Sequence, residues 1–200
     1  MSHPTHYPSG TVRELLATNH VSDKTREVLT ERLNQQPGPL RFFTQEEATT
    51  LRHIASRLLP QPGEAGYVID LVDPVDKRLA NNESDGWRYD VLPADTDAYR
   101  LGLQGFQESA QAAYGQSFDR LTSGEKDDLI GQIQAGTAPG EIWQQLPSTR
   151  FFDDLLAELV VIYYSNPLVQ EAFGYVGMAD RPSWELIGLN ELEAREPREL

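Results

Sequence analysis

Two four-residue signals constrain this chain more than any other feature: Thr44-Gln45-Glu46-Glu47 and Thr122-Ser123-Gly124-Glu125. In each, a threonine hydroxyl and a glutamate carboxylate three residues later satisfy the first free amides of a helix, the arrangement known as a capping box. The residues after each box agree with it. Beyond the first, Leu51, Ile54, Ala55, Leu58 and Leu59 recur at helical spacing until Pro60-Gln61-Pro62-Gly63 ends the run. Beyond the second, Leu129, Ile130 and Ile133 form the inward face.

The same period runs through most of the chain. Tyr99, Leu103, Phe106, Ala110 and Ala113 predict a helix over 95–114, with Gly102 and Gly105 inside it. Each glycine costs about 1 kcal/mol relative to alanine when exposed, so the pair points to a close helix–helix approach. Residues 66–80 predict another helix, kinked or restarted at Pro74. Ser148 is expected to cap the most apolar helix, Phe151 to Ser165, which ends at Asn166-Pro167 and reads as central and apolar on nearly all sides beyond Leu156. Shorter helices are expected from Thr11 and over 22–34, and 81–93 reads as a loop. No period-2 segment competes, so the fold class is all-α. The expected organisation is a flexible leader and helical arm over 1–39, a helical domain over 40–173, and an irregular, partner-binding aromatic tail over 174–200.

Composition removes several function classes. The net charge of −14 opposes nucleic acid, which needs clustered Lys and Arg to displace counterions from phosphates, and opposes anionic membrane surfaces equally. Without a single cysteine the chain has no disulfide, no thiolate metal ligand and no thiol nucleophile. The most apolar run, Leu155 to Tyr164, is too short to span a bilayer and is interrupted by Glu158, so no direct membrane insertion is expected. Residues 1–10 carry no apolar run behind a basic start. The expected compartment is the cytoplasm, or the periplasm if the chain is exported with another, signal-bearing protein.

Catalytic patterns are scarce. His3 and His6 are spaced to touch one metal but lack a third ligand nearby, and His53 sits on the polar side of its helix. There is no His-Glu-x-x-His, no nucleophile elbow and no glycine-rich phosphate loop; Gly174-Tyr175-Val176-Gly177 lacks the third glycine and the strand–turn–helix setting. Asp70, Asp73 and Asp76 form the densest carboxylate run. It reads as a solvated face or as helix caps, because Pro74 interrupts it and it lacks the spacing and turn glycine of a calcium loop. A divalent-metal enzyme using these carboxylates is one alternative reading. Another is a free-standing small-molecule-binding protein with an apolar pocket around Tyr163 and Trp184. No residue is assigned as catalytic, cofactor-binding or metal-binding.

The chain resembles the gluconate 2-dehydrogenase subunit 3 family over about residues 40–190. The matching residues are the helix from Phe43 to Pro60, ending Arg57-Leu58-Leu59-Pro60, then Gly66-Tyr67-Val68-Ile69-Asp70. Further on come Phe151-Phe152, Leu155-Leu156, Tyr163-Tyr164-Ser165-Asn166-Pro167, Phe173-Gly174-Tyr175-Val176-Gly177, Trp184 and Gly188. The resemblance implies a bacterial, all-helical accessory subunit in a hetero-oligomer. Its partner would be a large FAD-containing catalytic subunit of the glucose–methanol–choline (GMC) type, oxidising sugars, sugar acids, polyols or glycosides. FAD and the catalytic histidine would belong to that partner, a cytochrome or another acceptor would take the electrons, and this chain would hold no cofactor. Many members carry a twin-arginine signal, and this sequence departs from them there. Aromatic content and the resemblance together nominate Tyr163, Tyr164, Pro167, Phe173, Tyr175, Val176, Trp184 and Ile187 as partner contacts. Val176, Trp184, Leu186 and Ile187 are expected to form a partly exposed apolar patch in the isolated chain.

Overall fold

The computed structural model describes residues 7–61, 69–84, 90–176, 186 and 188–199. Among them every regular element is helical: α1 (Thr11–Leu15), α2 (Asp23–Asn34), α3 (Gln45–Leu58), α4 (Val72–Ala80), α5 (Asp95–Tyr114), a 3-10 turn (Phe118–Arg120), α6 (Ser123–Ala135), α7 (Ile142–Gln145), α8 (Ser148–Tyr164) and α9 (Pro167–Ala172). The chain divides into two compact units. One comprises residues 1–36, 62–69 and 162–200, and the other 37–61 and 70–161.

The larger unit is built on α3 and α5, which pack against each other and share the 3-10 turn. Both capping boxes form. The Thr44 hydroxyl accepts from the Glu47 amide while the Glu47 carboxylate accepts from the Thr44 amide, and Thr122 and Glu125 repeat the exchange at the start of α6. Glycines 102 and 105 mark the close approach expected of them. A Cβ on Gly102 would lie 2.1 Å from the Phe151 ring, and one on Gly105 would lie 2.6 Å from the Trp143 ring. These rings continue a chain of aromatic contacts from Phe43 through Tyr99, Phe151 and Trp143 to Phe106 and Phe118. The Tyr99–Phe151 and Phe106–Phe118 pairs meet edge to face, the arrangement that aligns a ring's positive edge with its neighbour's negative face.

Three local expectations need correction. The helix expected over 66–80 begins only at Val72, because the Asp70 carboxylate accepts from the Val72 and Asp73 amides (2.8 and 3.1 Å) and opens the helix there; residues 66–68 lie outside the described residues. Pro74 falls in the first turn, where amides have no intrahelical partner, so of its two expected roles it belongs to the start of a helix and not to a kink. Ser148 is the first residue of α8 rather than its cap, and its hydroxyl donates to the Ile133 carbonyl at 2.8 Å. Finally, α8 is two-faced. Phe151, Phe152, Leu155, Leu159 and Tyr163 are buried, while Asp153, Ala157, Val161 and Tyr164 lie exposed on the other side.

In the smaller unit, Ser22 caps α2 and Asn166 caps α9, which starts on Pro167. Both α1 and α2 pack on α9. Leu16, Val21 and Leu29 form a small core with Leu15 and Leu33 beside it. Gly174, at a φ of +64°, turns the chain after α9, and its α-carbon lies so close to the Tyr7 ring that a Cβ would come within 2.8 Å of it.

Candidate functional site

The eight nominated contact residues occupy different environments. Tyr164, Phe173 and Tyr175 are 45%, 57% and 52% exposed, large apolar rings left in water. Tyr164 and Phe173 lie with ring centroids 5.4 Å apart, so they form one ledge. Tyr163 is buried and meets the Tyr164 ring edge to face at 5.1 Å, holding it in place. Pro167 is buried as the first residue of α9. Val176 is only 2% exposed, so the partly exposed patch expected to include it loses that member, whereas Leu186 is 45% exposed. Trp184 and Ile187, and with Trp184 the pocket expected around it, lie outside the described residues.

Two side chains hold the backbone between α8 and α9, beside the ledge. The Gln170 side chain donates to the Tyr164 carbonyl (3.3 Å), and Arg32 of α2 donates to the Ser165 carbonyl (3.1 Å). Behind the ledge, Glu171 is 5% exposed and accepts four hydrogen bonds from the N-terminal arm. The donors are the Gly10 amide (2.9 Å), the Arg13 amide (3.0 Å), and Arg13 Nε and Nη2 (3.0 Å each). Burial pushes the Glu171 carboxyl upward, but these donors outweigh it and hold its pKa below the ordinary glutamate value.

The aspartate run has work of its own. Contrary to the solvated face expected, Asp73 and Asp76 are 6% and 1% exposed. Asp76 accepts from the backbone amides of Arg41, Phe42 and Phe43 at 2.8–3.0 Å, and Asp73 accepts from Gly38 (2.8 Å) and pairs with Lys77 (2.7 Å). Asp70 does act as a helix cap, as expected. Asp73 and Asp76 thus splice the 38–43 segment onto α4 while Asp70 opens that helix, so the three carboxylates do separate work rather than converge on a shared point. Among the described residues no three His, Asp or Glu side chains gather as a metal site would require.

A second, part-buried cluster gave no sign in the sequence beyond Glu158 breaking an apolar run. Arg78 of α4 grips Glu158 of α8 with two bonds (2.6 and 2.8 Å) and Asp95 of α5 with a third (2.6 Å), while the Tyr99 hydroxyl donates to Glu158. Burial disfavours the Arg78 charge, yet the two carboxylates override it and raise its pKa. Burial first, and the Glu158 charge second, push the Tyr99 hydroxyl well above its usual value. The guanidinium and hydroxyl therefore keep their protons across the physiological range, and the cluster ties α4, α5 and α8 together. Elsewhere in the larger unit a polar cleft of about 760 Å³ opens beside Thr44, Glu47, Arg100, Gln107 and Arg120. Several of its polar groups already bond to one another: Arg100 holds Glu47, and Gln107 links Thr50 to the Phe118 amide.

Among the described residues no helix is long and apolar enough to cross a membrane. Fold and surface together define a small all-helical protein with buried ionic clusters and an exposed aromatic ledge. The model of the gluconate 2-dehydrogenase subunit 3 family matches residues 45–187, from the start of α3 past α9, and the chain belongs to that family. The family is one of subunits of a dehydrogenase complex. No curated protein and no solved structure matches this chain. The arm formed by α1 and α2 lies outside the matched span.

Proposed function

We propose that this chain is a non-catalytic accessory subunit that binds and stabilises the FAD-containing catalytic subunit of a GMC-type dehydrogenase acting on sugars, sugar acids, polyols or glycosides. Family membership is the observation that carries this reading. In it the partner supplies flavin and chemistry, and this chain supplies shape. The ledge of Tyr164 and Phe173, together with the exposed Tyr175 ring, is the proposed centre of the contact. Three rings of about 200 Å² each, half exposed, offer roughly 300 Å² of aromatic surface. A stable interface needs about 800 Å² per partner, so the ledge forms its centre and polar surroundings make up the rest. Tyrosine and phenylalanine suit that place because they bring large area with few rotatable bonds.

The engagement of Asp70, Asp73 and Asp76 by backbone amides and Lys77 supports this reading over a carboxylate enzyme. The test is capture of the tagged full-length chain from its native cells, with an absorption spectrum of the eluate. A larger chain bearing the bands of oxidised flavin, lost on Tyr164→Ala with Phe173→Ala, is the expected result. A colourless, folded chain without a larger partner would refute the reading.

A further inference from the structure

The polar cleft of the larger unit lies where three mutually packed elements meet: α3, α5 and the 3-10 turn. Leu103 and Thr50, 1% and 2% exposed, set its floor. Its walls are fixed by bonds within the protein. Gln107 is held at both ends, its side chain donating to the Thr50 hydroxyl (2.7 Å) and accepting from the Phe118 amide (2.9 Å). Arg100 donates to both Glu47 oxygens (3.0 and 3.2 Å) and to the Phe42 carbonyl (2.9 Å), and its guanidinium lies 4.3 Å from the centre of the Phe42 ring. Walls ordered in advance spare a bound molecule the cost of ordering them. At about 760 Å³ the cleft falls within the range of about 300–1,000 Å³ typical of small-molecule sites.

The groups left over decide the ligand class. Among the described residues, the side chains of Gln45, Glu46, Gln104 and Arg120 line the cleft and make no hydrogen bond to the protein. In a chain of net charge −14 this lining is nearly balanced, with Glu46, Glu47 and Asp119 against Arg100 and Arg120. A strong anion meets the carboxylates, and a strong cation meets the guanidiniums. A neutral molecule rich in hydroxyls meets neither obstacle, since each hydroxyl both donates and accepts, as the amides of Gln45 and Gln104 do. Arg100, Gln104 and Gln107 are four and three residues apart and so stand in one row along α5. Such a row suits a ligand with successive hydroxyls.

We infer that this cleft binds a neutral polyhydroxylated molecule, a polyol or a sugar. Gln45, Gln104 and Arg120 are its hydrogen-bonding groups, and Arg100 and Gln107 are the fixed wall. The inference is independent of the accessory-subunit reading, because it uses no residue of the ledge and no partner.

The experiment is amide NMR of the isotope-labelled full-length chain, titrated separately with sorbitol, glucose, gluconate and glucosamine. Sorbitol or glucose is expected to give saturable shifts at residues 44–50, 100–107 and 117–120, with a dissociation constant of about 1 mM, the value that ligand efficiency gives for a molecule of this size. The tighter of the two neutral probes tells an acyclic polyol from a ring sugar. Gln104 and Arg120 are exposed, so Gln104→Ala and Arg120→Ala leave the core intact, and each should weaken binding about fivefold, as for one lost hydrogen bond. Arg52→Ala, exposed on α3 but outside the cleft, should leave it unchanged. No saturable shift from either neutral probe would overturn the site. Tighter binding of gluconate or glucosamine would overturn the ligand class. Equal binding by the parent chain, Gln104→Ala and Arg120→Ala would overturn the assignment of the groups.

Discussion

The substitution Gly102→Ala is expected to destabilise the larger unit although alanine is the better helix former. In an open helical position the change gains about 1 kcal/mol. At Gly102 the new methyl would meet three atoms of the Phe151 ring at 2.1, 2.2 and 2.6 Å, against an ordinary carbon–carbon contact of about 3.5–4.0 Å. The ring must therefore move by more than about 1 Å, the shortfall between those distances. It has nowhere to go, being fully buried and in edge contact with Tyr99 while Trp143 lies on another side. Overpacking of this kind costs about 3 kcal/mol or somewhat more, so the net loss is about 2 kcal/mol. Gly131 is the internal control, since it lies within α6, is exposed, and has nothing within 4 Å of a Cβ. Gly131→Ala should gain up to about 1 kcal/mol. Urea unfolding tracked by circular dichroism reads both. With a slope of about 2 kcal/mol/M, Gly102→Ala should lower the midpoint by about 1 M and Gly131→Ala raise it by up to about half as much. Equal gains from the two substitutions would refute the close packing of α5 on Phe151.

Three other perturbations have equally direct consequences. Asp76→Ala removes the acceptor of three backbone amides, so a loss of about 3 kcal/mol is expected in the same unfolding assay, with the amides of 41–43 losing exchange protection. Tyr99→Phe deletes one donor to Glu158 and should cost about 1–2 kcal/mol, whereas Glu158→Ala leaves Arg78 with only Asp95 and the Glu83 carbonyl as partners and should cost about twice as much or more; a larger effect from the tyrosine would contradict this ranking. Because the Glu171 carboxyl titrates below the ordinary value, its contribution to holding the arm is complete above about pH 4.5, its unfolded value, and disappears as the pH falls through the lowered folded value. Amide exchange at 10–34 should therefore accelerate selectively in mild acid, corrected for intrinsic rates, and Glu171→Gln should abolish that pH dependence.

Local features of the fold were legible in the sequence. A capping box, a helical stripe and an Asn-Pro helix start all act within about four residues, so Thr44, Thr122 and the 95–114 pattern located their helices from chain order alone. α9 is absent from the sequence expectations, because Asn166-Pro167 reads there only as the end of α8, although the pair also carries a cap and a first-turn proline. The family was legible for a related reason: its pattern of paired aromatics and glycines is a linear one, and the match over residues 45–187 bears it out.

Tertiary structure decided the roles of the ionisable groups. Asp73, Asp76, Glu158 and Glu171 look like surface carboxylates in the sequence, and each is buried or nearly so because donors from distant positions reach it: Gly38 and residues 41–43, Arg78, and residues 10–13. It also decided which rings stay in water. Tyr163 and Tyr164 are neighbours in sequence and equal in hydrophobicity, yet about 100° apart around a helix, so one enters the core and the other joins the ledge. Spacing along a chain determines that two side chains take different faces. Which face is covered depends on the rest of the protein, because burial is a property of the neighbours.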